Sequence, residues 1–296
     1  MTEPLTIGPR TFAWGERTYI MGVINVSPES FAGDGLADVE AAVARGRCLA
    51  EEGADILDVG GQSTRPLPSR TTESGFEEVP PEEEVRRVVP VIDRLLRELD
   101  VPVSVDTYKA PVARAALQAG AHLLNDIWGF RPGGSTPAPM DGPELAALAA
   151  EFGVPAVVMH NQRGRACEHG DVIAELRHGF ESSIAIAQQA GLPRERLIVD
   201  PGFGFGWTPE QNLEILRRLA ELRALGLPVL IGTSRKSTSG AVLDGAPVEG
   251  RLFGTAATVA LAVAGGADIV RVHDVAEMRQ VARLADAVVR GWQKER

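Results

Sequence analysis

The chain has 296 residues, 44% of them hydrophobic, with 40 acidic against 30 basic side chains and a formal net charge of -10. The length suits a single α/β barrel spanning 1–296 and the apolar share a substantial core, while the acidic balance excludes a general nucleic-acid coat, which needs basic surface to meet phosphate. No apolar run approaches the roughly 18 residues of a membrane span, the first residues lack a secretion-signal layout, and Cys48 and Cys167 form neither a disulfide framework nor a metal spacing, so a cytoplasmic setting is expected.

Residues 5–19 read as a short hairpin with Gly15-Glu16 as its turn, placed to plug a barrel floor. A first barrel strand follows at 19–26. The helix at 37–52 has an apolar stripe ended by Gly53, and Cys48 reads as a small core residue on it. The second strand is 56–59. Residues 61–81 hold Pro66, Pro68 and Gly75 and read as a long functional or mobile loop, before a helix at 82–99. Strand 101–105 and helix 111–119 come next, then strand 122–125 and a Pro- and Gly-rich loop at 129–142, also read as mobile. Helix 143–152, strand 156–159 and helix 172–190 continue the alternation. Strand 197–199, helix 209–225 and strand 229–231 lead to a short extra helix at 237–243. Helix 248–264, strand 269–272 and helix 276–292 complete the chain. Regular strand–helix alternation predicts a parallel sheet, and eight units fit a closed (β/α)8 TIM barrel with a short N-terminal β-hairpin better than an open sheet.

A parallel strand buried on both faces carries a nearly continuous apolar run, and its polar residues collect where it surfaces. The eight runs end at Asn25, Asp58 to Gln62, Asp106, Asn125, His160, Asp200, Ser234 to Lys236, and Arg271 to His273. In a closed barrel these gather on the C-terminal rim, where the active sites of that fold lie.

Asp106 and Asp200 alone could be helix caps, but with Asn125 on the same rim they form a carboxylate–amide set able to read a heterocycle rich in donors and acceptors. Lys109, Lys236 and Lys294 are the only lysines among 30 basic residues. A lysine in a strand-end loop therefore suggests a compact charge pointed into a tight pocket, and Lys236 is the candidate. In Gly202-Phe203-Gly204-Phe205-Gly206 the glycines would let the backbone approach a ligand, and Phe205 would offer it a flat apolar face. Residues 232–237 precede the extra helix, a place where barrels often bind anions. With Arg271 and His273 they make a local cation cluster. Asn25 has an oxygen suited to Mg²⁺ but no charge, so substrate phosphates and water would have to complete the ion's shell. His122 reads as structural, and His169 and His178 as surface residues.

Seven segments in order resemble the dihydropteroate synthases: 21–28, 58–66, 104–107, 125–127, 200–206, 234–237 and 271–274. The resemblance implies an eight-stranded α/β barrel that joins p-aminobenzoate to a pterin hydroxymethyl diphosphate and releases pyrophosphate with Mg²⁺. It implies that Asp106, Asn125, Asp200 and Lys236 hold the pterin and that Asn25 binds the metal. Thr64, Arg271 and His273 would hold the diphosphate, with Arg65 beside them among the substrate contacts. Phe31, Pro66 and Ser237 would frame p-aminobenzoate. The first loop reads Gly33-Asp34-Gly35 rather than Asp-Gly-Gly, which makes Asp34 its working carboxylate and a catalytic candidate with Asp106 and Lys236. Glu29 stands in place of the family's Asp, Gln62 replaces the usual Glu behind Arg65, and 67–70 differ from the family's shorter continuation. The family is usually dimeric through its late helices, where Leu261, Val263 and Val288 would face a partner or the core. Rival readings are a corrinoid-linked methyltransferase, which has no use for the Arg271–His273 cluster, and a pterin-binding paralogue without the chemistry.

Overall fold

The computed structural model describes residues 3–26, 39–64, 78–131 and 141–292. A two-stranded antiparallel hairpin, β1 (Leu5–Ile7) and β2 (Arg10–Phe12), opens the chain. Its turn is Gly8-Pro9 rather than Gly15-Glu16. Gly8 takes a φ of 53°, which suits glycine, and Pro9 then fixes the return. Gly15-Glu16 makes a second turn that feeds the first barrel strand.

The barrel strands are β3 (Tyr19–Asn25), β4 (Ile56–Gly60), β5 (Val103–Asp106), β6 (Leu123–Asp126), β7 (Ala156–Met159), β8 (Leu197–Asp200), β9 (Leu230–Ile231) and β10 (Ile269–Val272). Their parallel order runs β8-β7-β6-β5-β4-β3-β10-β9, and a bridge between Val199 and Val229 brings the two edges together. Closure removes the exposed edges that an open sheet would leave.

Helices cover the outside: α1 (Val39–Glu52), α2 (Pro81–Glu98), α3 (Ala110–Gln118), α4 (Gly142–Glu151), α5 (Val172–Gln189), α6 (Pro209–Arg217), α7 (Ser237–Val242), α8 (Leu252–Ala264) and α9 (Val275–Val289). Local chemistry sets their starts. Proline stands near the start of α2, with three acidic residues in the first turn, where the helix dipole favours negative charge. Asp171 caps α5 through the Ile173 N–H, and Thr208 with Gln211 forms a capping box at α6. The expected 209–225 and 248–264 helices each contain a 3-10 segment, at Leu219–Leu225 and Val248–Arg251.

Two packed layers result. Outward strand side chains and inward helix faces make the main core, while Met21, Ile56, Leu123, Val157, Ile198, Leu230 and Ile269 fill the barrel interior. Leu5, Ile7, Phe12 and Trp14 of the N-terminal arm join that inner cluster, so the arm plugs the floor as expected. Cys48 is not a core residue. It is exposed on α1, with its Sγ 3.1 Å from the Glu52 carboxylate. The stripe that α1 buries is Ala42, Val43, Gly46 and Leu49, and Cys48 falls beside it. No helix among the described residues is long and apolar enough to cross a membrane.

Candidate active site

The strand register lines up the polar strand ends. Asn25 pairs with Gly60, Gly60 with Asp106, and Asp106 with Asn125, so four adjacent strands finish level on the same rim. Met159 pairs with Asp200 further round. Above the rim opens a cavity of about 650 Å³ lined by Asn25, Thr64, Asp106, Asn125, Asp200, Phe205, Lys236, Ser237, Arg271 and His273. Every sequence-derived site residue that the structure describes therefore lies on one cavity. Phe31, Asp34, Arg65 and Pro66 lie outside the described residues, as do Glu29 and residues 67–70. The expected loop at 129–142 is described only at its two ends, where Gly129, Phe130, Arg131 and Gly142 are buried.

The base of the cavity is a charged network. Arg271 Nε donates to Asp58 Oδ2 at 2.6 Å and its Nη2 donates to Asp106 Oδ2 at 2.6 Å. Asn125 Nδ2 donates to the same Asp58 oxygen at 3.0 Å. Arg271 is thus shared between two carboxylates, a narrower role than a cation facing the solvent. Burial opposes its charge, but Asp58 and Asp106 outweigh that and hold its pKa above the usual value. Burial pushes the Asp106 carboxyl up to about 7, against the pull of Arg271 and with a further push from Asp58. Asp58 escaped the sequence reading as a site residue. The available signal was a carboxylate flanked by Leu57 and Val59 in an apolar strand, a placement that burial forbids without a cationic partner.

Asp200 stands across the cavity. Its Oδ1 accepts the Gly202 N–H at 2.8 Å, and burial raises its pKa to about 6 while that hydrogen bond and Lys236 resist. The glycine run serves packing more than ligand approach. Gly202 has a φ of 67°, and a Cβ there would meet the His160 carbonyl at 2.0 Å; at Gly206, one would meet the Arg163 backbone at 2.3 Å. The run therefore nests against the loop after β7 and presents Phe205 inward. Lys236 Nζ lies 4.1 Å from the Phe205 ring centroid and the Arg163 guanidinium carbon 4.7 Å from it, within cation–π range. Arg163 also lines the cavity, and its position shortly after the His160 strand end was the signal for it.

On the remaining wall, the chain turns at Arg235, whose φ is 57°, and α7 begins at Ser237. Arg235 is held by Asp274 at 2.6 Å and donates its N–H to Thr255 Oγ1. Ser234 Oγ lies 2.9 Å from His273 Nδ1. Gln62 contacts Lys109, Tyr108 and Val79, while Arg65, its expected neighbour, lies outside the described residues. His122 is structural as expected, its Nδ1 accepting the Val103 N–H. His169 pairs with Glu175 and stacks on His178. A larger cleft of about 1310 Å³ lies at the opposite barrel end beside Arg17, Asp55, Arg290 and Trp292, away from the polar strand ends.

The model of the family described as pterin binding enzyme matches residues 21–273. The chain belongs to the pterin binding enzyme family. Within it, the chain is 43% identical over 295 residues to the dihydropteroate synthase of Synechocystis sp., covering 97% of this chain and 96% of the relative. It is 41% identical to that of Bacillus subtilis, over 97% and 94% of the two chains. A solved Xanthomonas albilineans dihydropteroate synthase with 4-aminobenzoic acid superposes with a TM-score of 0.84 at 41% identity, covering 97% of this chain and 98% of that one. The same enzyme in complex with 7,8-dihydropteroate gives 0.81 at 40% identity over 97% and 98%.

Proposed function

We infer that the chain is a dihydropteroate synthase, a transferase that joins p-aminobenzoate to 6-hydroxymethyl-7,8-dihydropterin diphosphate and releases pyrophosphate. The observation that carries this is the convergence of Asp106, Asn125, Asp200 and Lys236 on one cavity, in a chain that matches dihydropteroate synthases along nearly its whole length. The carboxylates and the Asn125 amide suit the donor-rich edge of a pterin. Met159, Ile127 and Phe205 supply an apolar wall for its flat face.

In the reaction, the arylamine nitrogen bonds to the pterin methylene carbon while the carbon–oxygen bond breaks. The electron pair leaves on pyrophosphate, and the new secondary amine loses a proton. No nucleophilic side chain is needed, because the arylamine is itself the nucleophile. Asp106 favours positive charge building on the pterin. Thr64, Arg271 and His273 favour negative charge leaving on the diphosphate, and Lys236, holding the pterin, adds a preorganised positive charge in the same cavity. Charge placed in advance of the reaction is often the largest catalytic term, and holding the amine over the carbon removes much of the entropic barrier. Ser237 frames the arylamine from the start of α7.

Asn25 offers one neutral oxygen on the cavity wall, and no cluster of three His, Cys, Asp or Glu ligands exists among the described residues. That donor set fits Mg²⁺ only as a guest completed by diphosphate oxygens and water. Bound there, the ion would neutralise charge on the leaving group.

We also read the chain as a homodimer working in a reducing cytosol. Leu261 and Val288 are 58% and 78% exposed, with Phe253 and Leu284 beside them on α8 and α9, whereas Val263 belongs to the core. An apolar surface of this kind is a common mark of a subunit interface. The catalytic reading is tested by mixing protein, pterin diphosphate, Mg²⁺ and p-aminobenzoate. Pyrophosphate released only when all are present supports synthesis. Pterin binding without pyrophosphate would leave a paralogue that lacks the chemistry.

A further inference from the structure

Lys109 is buried behind the cavity wall, and no step of the reaction above uses it. Its ammonium donates to Gln62 Oε1 at 2.5 Å, to the Val79 carbonyl at 2.6 Å and to Glu84 Oε2 at 2.6 Å. These three contacts use its three N–H donors. Gln62 is satisfied at both ends: Oε1 also accepts the Val79 N–H at 3.1 Å, and Nε2 donates to Tyr108 Oη at 2.9 Å. Glu84 sits in the first turn of α2 and is buried with Lys109, so the two charges cancel where water is excluded.

This node lies where the sheet stops holding the chain. β4 pairs as far as Gly60, and residues 62–64 go on to line the cavity. Gly61 rests on α2, its carbonyl accepting Arg87 Nη1 at 3.0 Å. Gln62 then depends on Lys109, Tyr108 and Val79. The neutral amide matters. It leaves Lys109 and Glu84 as a matched pair, so the node formed by Gln62, Lys109 and Glu84 carries no net charge.

We propose that Lys109 is a positioning residue: by tying Gln62 to Val79 and to the start of α2, it fixes residues 62–64 on the cavity wall and thereby sets where the substrate diphosphate rests. The proposal rests on the reading above of this cavity as the site of a pterin diphosphate, which residues 62–64 line. Removing Lys109 alone strands Glu84, so Lys109→Met is paired with Lys109→Met/Glu84→Met, which strands no charge.

Calorimetry with two probes, 6-hydroxymethyl-7,8-dihydropterin and its diphosphate with Mg²⁺, separates positioning from general stability. Near-ultraviolet circular dichroism checks the fold. The expected result is that both variants bind the alcohol within about twofold of the parent and the diphosphate about tenfold more weakly, the loss of roughly one good charge-assisted hydrogen bond. Thr64→Val should show the same selectivity, with no further loss when combined with Lys109→Met. Equal affinities in variant and parent, or a parallel loss for both probes, would overturn the proposal whether or not Thr64→Val acts. So would failure of both variants to fold, which would assign the node to stability alone. If Thr64→Val is silent while Lys109→Met acts as expected, the proposal stands and the diphosphate contact moves to another atom of residues 62–64.

Discussion

Arg271 stands between Asp58 and Asp106, reaching an oxygen of each at 2.6 Å. Asp58 is fully buried and its second oxygen has no hydrogen-bond partner among the described residues, so the guanidinium is its main compensation. Arg271→Gln should destabilise the fold by about 3 kcal/mol, the scale for stranding one member of a buried pair. Adding Asp58→Asn should recover most of that. Urea denaturation measures both, and equal stability of Arg271→Gln and the parent would contradict the pairing.

Asp106 gives a pH dependence. Its carboxyl is pushed up to about 7 by burial, and the reaction uses the anion to favour a positive pterin. kcat/KM should therefore rise with pH through about 7, and Asp106→Asn should lose that acidic limb along with most of its activity. Stability runs the other way. A carboxyl whose folded pKa is raised holds a proton that the unfolded chain gives up, so its contribution is present at low pH and lost as pH climbs from about 4 to about 7. A pH–rate profile flat across that window would contradict the role.

Lys236→Ala should raise the barrier to turnover by about 2–4 kcal/mol, the range seen when one preorganised charge-stabilising donor is lost. Its ammonium lies over Phe205 and beside Asp200, so the pterin affinity should fall as well. Near-normal kcat with saturating substrates would remove Lys236 from the catalytic set.

Leu284 and Val288 are 70% and 78% exposed on α9. Replacing both with Arg should turn a dimeric parent into a monomer by light scattering while leaving the pterin affinity unchanged. A parent of monomer mass would contradict the assembly.

Much of the barrel was legible because buried parallel strands leave a plain trace, as in Val103–Asp106, where three residues bury fully and the fourth surfaces as Asp106. The site residues were legible for the same reason, since the strand ends bring them to one rim. Asp58 and Lys109 were harder. Both act from inside the wall through partners distant in sequence, at Arg271 and Glu84, and spacing says nothing of such pairs. The hairpin turn was misplaced because Gly15-Glu16 and Gly8-Pro9 both carry turn chemistry, and only the packing of Phe12 beneath the barrel chooses between them. Cys48 was misread because one residue of helical offset separates a buried stripe from solvent.

The central claim is that Asp106, Asn125, Asp200 and Lys236 hold one pterin ring. A crystal structure with 6-hydroxymethyl-7,8-dihydropterin bound tests it most directly. The expected result is a ring in the cavity above the strand ends, with its polar edge within hydrogen-bond distance of all four side chains. A ring seated elsewhere, for instance in the cleft beside Arg17 and Arg290, would contradict it.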